Sequence, residues 1–316
     1  VPAPVCLIVN PAAGGGRAAR VAPQAERALR AHGLDVRRED TRDLEHARSL
    51  TIQAAGDGET IVTVGGDGLI GASADALRQS PGGVLGVIPG GRGNDLARVL
   101  GIPDDPKEAA AIVAAGHTRS CDLGLVEGAG PAASAHPTAF VGIASAGFDS
   151  DANRIANEAP AWLGGFVYVY GALRALAAWR PTRLEIEILD ADGASERHEF
   201  SAFSIGACNS KAYGGGMLAA PDAMLDDGLL DVVVCEDTSK LAFLTRILPK
   251  VFKGTHVHEP SVHVFRAREL LISADRPFTM YADGDPIAEL PVRVRALAGA
   301  ITMLVPAYAS AAFAAG

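Results

Sequence analysis

The 316-residue chain is 48% hydrophobic, 5% aromatic and 21% charged, with 36 glycines and a formal net charge of -9. That length accommodates two ordinary domains, and the composition is globular rather than disordered. A net acidic chain lacks the basic face that neutralises nucleic-acid phosphates, so a nucleic-acid partner is excluded and any anionic ligand must meet a local patch. Cys6, Cys121, Cys208 and Cys235 are far apart and form no CxxC pair, which points away from zinc and from a disulfide framework and toward a reduced, cytoplasmic chain. The start VPAPVCLIVNP lacks a basic n-region and a long apolar h-region, and no run is long enough to span a bilayer, so a soluble or peripheral protein is expected.

The first third alternates strand and helix: VCLIVN, a helix over about 18–32, LDVRRED, a helix over about 44–55, TIVTV, a helix from Ala72 to Leu77, and VLGVIP. This alternation predicts βαβ units and a parallel sheet, in which ligands bind beyond the carboxyl ends of the strands. Three of those ends carry NPAAGGGR (10–17), GGDG (65–68) and PGGRGND (89–95). Glycines at a strand-to-helix turn allow positive φ and a close ligand approach, while the exposed N–H groups of the helix start favour an anion. A phosphate would be repelled by Asp67 itself, so Asp67 requires a cation or a proton-bearing group between the two. Asn94 and Asp95 open the next helix, where they also read as ordinary caps. None of the loops ends in Gly-Lys-Ser/Thr, and NPAAGGGR does not fit Gly-x-Gly-x-x-Gly, so neither a Walker loop nor the dinucleotide fingerprint is present.

From about residue 121 the pattern changes to strands such as AFVGIASA, RLEIEIL, EFSAFSIGACN, LLDVVVCE and VRVRALAGAITMLVP. The period-2 alternation of RLEIEIL and VRVRAL predicts antiparallel strands with one solvated face. Helical segments interrupt this domain at about 163–179 and 240–252, and 127–137 reads as a loop. In the second helix Leu241, Leu244, Ile247, Leu248 and Val251 share one face, with Lys240, Arg246, Lys250 and Lys253 elsewhere. That face suits packing on the β domain or contact with an anionic membrane, and Pro249 is expected to bend or end the helix. Trp162, Phe166, Tyr168 and Tyr170 suit a core or an acyl pocket.

NPAAGGGR, TVGGDG, PGGRGNDLAR, RSCDLG, PDAMLDDGLLDVVV and YADGDP follow the order found in the diacylglycerol kinase catalytic-domain superfamily. Over nearly its whole length the chain resembles the soluble bacterial diacylglycerol and related lipid kinases. GGDG alone is shared with NAD kinases and phosphofructokinases; with LDDGLLDV and a late DGD it is more specific. The resemblance implies an N-terminal doubly wound α/β domain of that type over 1–122, with 303–316 packed back on it. It implies a C-terminal antiparallel β-sandwich over 123–302, and an active-site cleft between the two. There the γ-phosphoryl of ATP would pass to a lipid hydroxyl, with diacylglycerol and phosphatidic acid as the leading pair.

Residue by residue, Asn10, Thr41, Gly65, Gly66, Gly68, Gly91, Gly93 and Asn94 match positions that line the nucleotide in that family, and Asp67, Asp95 and Asp122 match acidic positions associated with magnesium and its waters. Asp283 matches the Asp of the family's Asp-Gly-Glu and Asp285 replaces the Glu, so the base lies between these two, with Asp67 completing the catalytic set; an Asp-Gly hairpin turn is the bland alternative. Asp227 matches the carboxylate of a structural magnesium site completed by the carbonyls of Met224 and Leu229, and a plain turn is again the alternative. Leu69, Gly71 and Ala72 depart from the usual Thr and Asn-Glu pair. Arg92 replaces a Thr, where it would supply a charge-assisted phosphate contact or remain solvated. GGDG followed by Leu also resembles sphingosine kinases. The competing readings are a NAD kinase, another lipid kinase, and a regulator that binds nucleotide or lipid and has lost turnover. The implied partner is a lipid met peripherally at the inner membrane face, and a homodimer is left open.

Overall fold

In a computed structural model the chain is described over residues 3–80, 82–129, 136–148, 150–152, 155, 167–180, 182–189 and 195–314. The N-terminal half winds β1 (Val5–Val9), α1 (Ala13–Ala31), β2 (Val36–Asp40), α2 (Leu44–Gly56), β3 (Thr60–Gly65), α3 (Asp67–Leu77), β4 (Val84–Pro89), α4 (Asp95–Leu100) and α5 (Pro106–Ala115). Its strands pair in parallel in the order β2-β1-β3-β4. β1 is buried along its whole length, as a strand covered by helices on both faces must be, whereas β2, at the edge, is half exposed. Leu7, Ile8, Ile61, Leu85 and Leu29 form the centre of this core.

The C-terminal half comprises β5 (Thr118–Gly128), β6 (Thr138–Phe140), β7 (Ile143–Gly147), α6 (Val167–Ala178), β8 (Thr182–Leu189), β9 (Ser195–Cys208), the short ribbon β10 (Ala212–Tyr213) and β11 (Met217–Leu218), and β12 (Leu230–Glu236). There follow α7 (Lys240–Ala242), a π-helical turn (Phe243–Ile247), α8 (Leu248–Val251), β13 (Val262–Ala267), β14 (Glu269–Ala274), β15 (Thr279–Ala282), β16 (Asp285–Glu289) and β17 (Val292–Leu304). β8, β9 and β14 pair antiparallel with alternating burial, Leu184, Ile186 and Ile188 facing inward. The architecture is an α/β domain followed by a β-rich one.

Two strands run through both halves. β17 pairs with β5 and β14 over Val292–Leu297, shifts register between Leu297 and Ile301, and then pairs in parallel with β4 through Thr302 and Met303. β5 follows it on the other side, so residues 122 and 303 lie inside continuous strands. Beyond β17, Ala309, Ala312 and Phe313 pack into the core of the α/β half.

Three elements differ from the sequence expectation for physical reasons. α3 begins at Asp67 rather than Ala72, because Gly66 is its extended N-cap and an anionic residue in the first turn complements the helix dipole. The run AFVGIASA is not one strand: it breaks at Val141 and Gly142, whose N–H groups bond a side chain described below. The segment from Lys240 to Val251 buries Phe243, Ile247 and Val251 and leaves Leu241 71% exposed. Its π-helical turn inserts an extra residue ahead of Pro249, which has no N–H to give to an α-helical ladder, and so rotates Leu241 away from the core. Trp162 and Phe166 lie outside the described residues, as does the side chain of Tyr168; Tyr170 is half-buried. No helix among the described residues is long and apolar enough to cross a membrane.

Candidate active site

The three glycine loops interlock at the carboxyl edge of the parallel sheet. Asn10 and Thr41 end β1 and β2, with their N–H groups bonded to Val64 and Val9 carbonyls (3.1 and 2.7 Å), and Asn10 Oδ1 accepts from Ala12 N–H. Gly14, Gly15 and Gly16 all hold positive φ, and a Cβ on Gly14 would lie 2.6 Å from the Gly90 carbonyl oxygen. Gly90 N–H bonds the Gly65 carbonyl at 2.8 Å, and a Cβ on Gly91 would stand 2.4 Å from Gly66 Cα. The glycines are therefore required by loop-on-loop contact as well as by any ligand. Arg92 is exposed and makes no hydrogen bond or ion pair with the described residues.

Asp67 stands at the junction of the second and third loops. Its Oδ2 and Oδ1 accept from the N–H groups of Asp95 (3.1 Å) and Leu96 (3.0 Å), capping α4 with the side chain of another helix. Asn94 holds the left-handed conformation (φ 52°), and its Oδ1 accepts from Gly91 N–H at 2.7 Å. Asp95 is 7% exposed, accepts from Gly215 N–H at 2.8 Å, and pairs with Arg98 at 2.5 Å. Burial raises its pKa, and the nearby charge of Asp67 adds to that. Asp67 and Asp95 share one wall of the site, and a cation between them would offset the charge that Asp67 sets against Asp95. Magnesium in phosphoryl transfer takes one or two carboxylates plus substrate phosphates, so this donor set fits it. Among the described residues no group of three or more acidic, His or Cys side chains could hold an ion by itself.

Among the described residues Asp283 is the most constrained acid. At the end of β15 it holds φ 50°, a backbone conformation that few non-glycine residues adopt. Its Oδ2 accepts from Val141 N–H (2.9 Å), and its Oδ1 from Gly142 (2.8 Å) and Ile143 (3.3 Å). These are the amides freed by the break between β6 and β7. Burial pushes the Asp283 pKa up to about 7, the charge of Asp67 adds to this, and the three N–H groups oppose it. A Cβ on Gly71 would lie 2.7 Å from Asp283 Oδ2, and one on Gly68 3.0 Å from Asp285 Oδ2. The departures after GGDG thus have structural roles: Gly71 makes room for a carboxylate, Leu69 is 2% exposed and packs on Gly65, and Ala72 is 3% exposed. Asp285 also has a raised pKa, from burial first, with Arg48 opposing it.

Asp67, Asp95 and Asp283 line one cleft together with Gly93, Ser145, Tyr213 and Gly215. Asp285 is absent from that lining and faces a separate depression with Arg48 and Gly68, to which Asp283 also contributes. The cleft shares Ile143, Ser145, Tyr213 and Gly214 with an apolar cavity walled by Phe148, Phe243, Ile247 and Val251. Ser145 and the run from Tyr213 to Gly216 were not singled out from sequence. Three successive glycines in KAYGGGM, echoing NPAAGGGR, were the available signal.

The remaining predicted acids gather elsewhere. Asp122, 1% exposed, accepts from Gly228 (2.6 Å) and Gly299 (2.7 Å) N–H groups, and burial raises its pKa. It sits beside the Asp226–Asp227 turn rather than with Asp67 and Asp95. Asp227 Oδ1 accepts from Leu229 N–H at 3.0 Å, and its Oδ2 is ion-paired with Arg266. The Arg266 guanidinium supplies the Asp227 countercharge in this arrangement, as Arg98 does for Asp95.

Residues 4–126 match the family described as the diacylglycerol kinase catalytic domain, and 142–305 the YegS C-terminal NAD kinase beta sandwich-like domain. The chain is 34% identical over 307 residues to a diacylglycerol kinase of Mycobacterium tuberculosis strain H37Rv, covering 96% of this chain and 95% of the relative. A diacylglycerol kinase structure from Bacillus anthracis strain Sterne superposes with a TM-score of 0.70 at 23% identity, covering 96% of this chain and 97% of the other. Yeast NADH kinase complexed with NADH gives 0.53 at 12% identity, covering 97% and 84%. At those identities the two structures speak to the fold.

The Asp283 geometry predicts that Gly71→Ala forces the carboxylate off its three amides. Turnover should fall by about tenfold or more, with a loss of stability of about 1–3 kcal/mol, read by steady-state kinetics alongside thermal melts. Unchanged kinetics would show that Asp283 does not need that position.

Proposed function

The chain belongs to the diacylglycerol kinase family, lipid kinases that use ATP, and from that footing we propose that it transfers the γ-phosphoryl of ATP, with magnesium, to the hydroxyl of a neutral lipid of the diacylglycerol kind. The observation that carries this reading is the continuity of the carboxylate-lined cleft with an apolar cavity. A nucleotide phosphate and a lipid tail need those two environments side by side, whereas a NAD-sized acceptor has no use for the second.

The N–H groups at the start of α3 point out of the glycine loop with no side-chain cap of their own, and together with the exposed Arg92 they offer donors to phosphates. Asp67 and Asp95 are the pair that would hold magnesium, which when bound neutralises the charge developing on the transferred phosphoryl group. Asp283 is the general base. It faces the cleft, and a pKa near 7 suits a carboxylate that must take a proton from an alcohol as the bond to phosphorus forms. The hydroxyl proton passes to Asp283, the hydroxyl oxygen bonds the γ-phosphorus, and the bond to the bridging oxygen of the ADP leaving group breaks. Asp285, on the far side with Arg48, positions the turn.

We propose further that the lipid is reached at a membrane surface. Leu241 and Phe252 are 71% and 57% exposed on the segment whose inner face walls the apolar cavity. Lys240, Arg246, Lys250 and Lys253 are exposed around them. Apolar anchors ringed by cations suit an anionic bilayer, even on a protein of net negative charge.

Two experiments test these readings. Labelled ATP and magnesium, offered diacylglycerol, ceramide, sphingosine and phosphatidylglycerol in micelles and NAD in buffer, should give a labelled lipid; labelled NADP or no product would refute it. Leu241→Ser combined with Phe252→Ser should weaken cosedimentation with phosphatidylglycerol vesicles by about tenfold or more. Equal binding by the parent and the double variant would rule out this face.

A further inference from the structure

One hydroxyl on the wall between the cleft and the apolar cavity is not satisfied by the protein itself. β7 is buried along its length, and its side chains alternate: Ala144 and Ala146 face the core of the β-rich half, while Ile143 and Ser145 face the cleft and the cavity. Ser145 is 4% exposed. Its carbonyl accepts from the Ser150 hydroxyl at 3.1 Å. Its own Oγ has no hydrogen-bond partner among the described residues and keeps surface open to the cavities it lines. The residue opposite it on β9 is Gly206, which also lines the apolar cavity and has no side chain to cover or bond the hydroxyl. Water meets this hydroxyl until a lipid enters; once acyl chains displace the water, the hydroxyl is left unpaired unless the lipid bonds it.

The place of Ser145 says which part of the lipid it meets. It stands two residues along β7 from Ile143, whose N–H bonds Asp283, a rise of about 7 Å. With the reacting hydroxyl at Asp283 and the chains in the apolar cavity, the linkage between them lies beside Ser145. A diacylglycerol has a single O–H, whose proton goes to Asp283, and its other polar atoms are ester oxygens that only accept. Ser145 is therefore the donor. A carbonyl oxygen offers it two lone pairs, whereas an ether oxygen between two alkyl groups is a weaker and more shielded acceptor. A site with a buried polar group rejects an analogue that leaves it unpaired more strongly than an apolar site rejects a change in shape.

We propose that Ser145 is a specificity-determining residue whose hydroxyl donates a hydrogen bond to an acyl carbonyl of the lipid, so that the site takes ester-linked glycerides in preference to ether-linked ones. This inference rests on the reading of the cavity as the lipid site and of Asp283 as the base, and it narrows the acceptor within that reading.

The test compares dioleoylglycerol with its dioleyl ether analogue, which has the same hydroxyl and chain length and lacks the carbonyls. Both are offered in mixed micelles, by equilibrium binding to the whole protein without ATP and by kcat/KM with ATP. The ester-over-ether ratio should fall by about three- to tenfold in Ser145→Ala and hold in Ser145→Thr, which keeps the hydroxyl. Ser145→Cys, near serine in volume but a weak donor, makes the same comparison if the alanine variant does not fold. A general loss of packing lowers the affinity for both lipids and leaves their ratio alone, so a ratio equal in wild type and Ser145→Ala would overturn the role of Ser145. If wild type phosphorylates neither lipid while the binding ratio still falls in the variant, the proposed kinase reaction fails and the recognition of an acyl carbonyl by Ser145 stands.

Discussion

The structure depends most on the Asp283 carboxylate and the three amides that bond it. Val141 and Gly142 form the break between β6 and β7 and Ile143 opens β7, while Asp283 follows β15 and presses on Gly71 of α3. One side chain thereby ties the β-rich half to the helix that begins in the glycine loop, and it does so from a backbone conformation that few non-glycine residues adopt. Its pKa stands above the ordinary carboxylate value, so its charge opposes stability at neutral pH. Stability from this group is fully present below the unfolded-state value and is lost as pH rises through about 7. A strained, partly destabilised acid facing a cleft is what a base under functional demand looks like, and a structural turn would be cheaper to build with glycine or asparagine.

The rest of the site is held by equally indirect means. Asp67 caps α4, and Asp95 reaches across to Gly215, so the acids of the α/β half are oriented by amides from two different segments. β5 and β17 pass without interruption from one half to the other. The cleft is therefore formed between halves that share a sheet, and the relative positions of Asp67 and Asp283 do not hang on a linker.

Much of this was legible in the sequence. The apolar runs of β1, β3 and β4, each followed by a Gly-rich loop, specify a parallel sheet with a site at its carboxyl edge, because burial on both faces and close backbone approach leave few other compositions. Asp67, Asn94 and Asp283 stood out as polar residues among glycines. What pattern alone did not reach was long-range: Gly71 reads as a departure until Asp283 is placed against it, and Asp283 and Asp285 look equivalent until Asp283, and not Asp285, is found to line the cleft with Asp67 and Asp95. The π-helical turn before Pro249 changes which residues of 240–251 are buried, an effect that a fixed helical period cannot anticipate.

The measurement that bears most directly on the central claim is the pH dependence of kcat for lipid phosphorylation between about pH 5.5 and pH 8.5, in wild type and Asp283→Asn. If Asp283 is the base, the wild-type rate climbs with pH through an apparent pKa near 7, and Asp283→Asn is slower by at least about a hundredfold, with that inflection gone. A wild-type profile flat across the range, or an Asp283→Asn enzyme that keeps both the rate and the inflection, would contradict the account and return the base to another group.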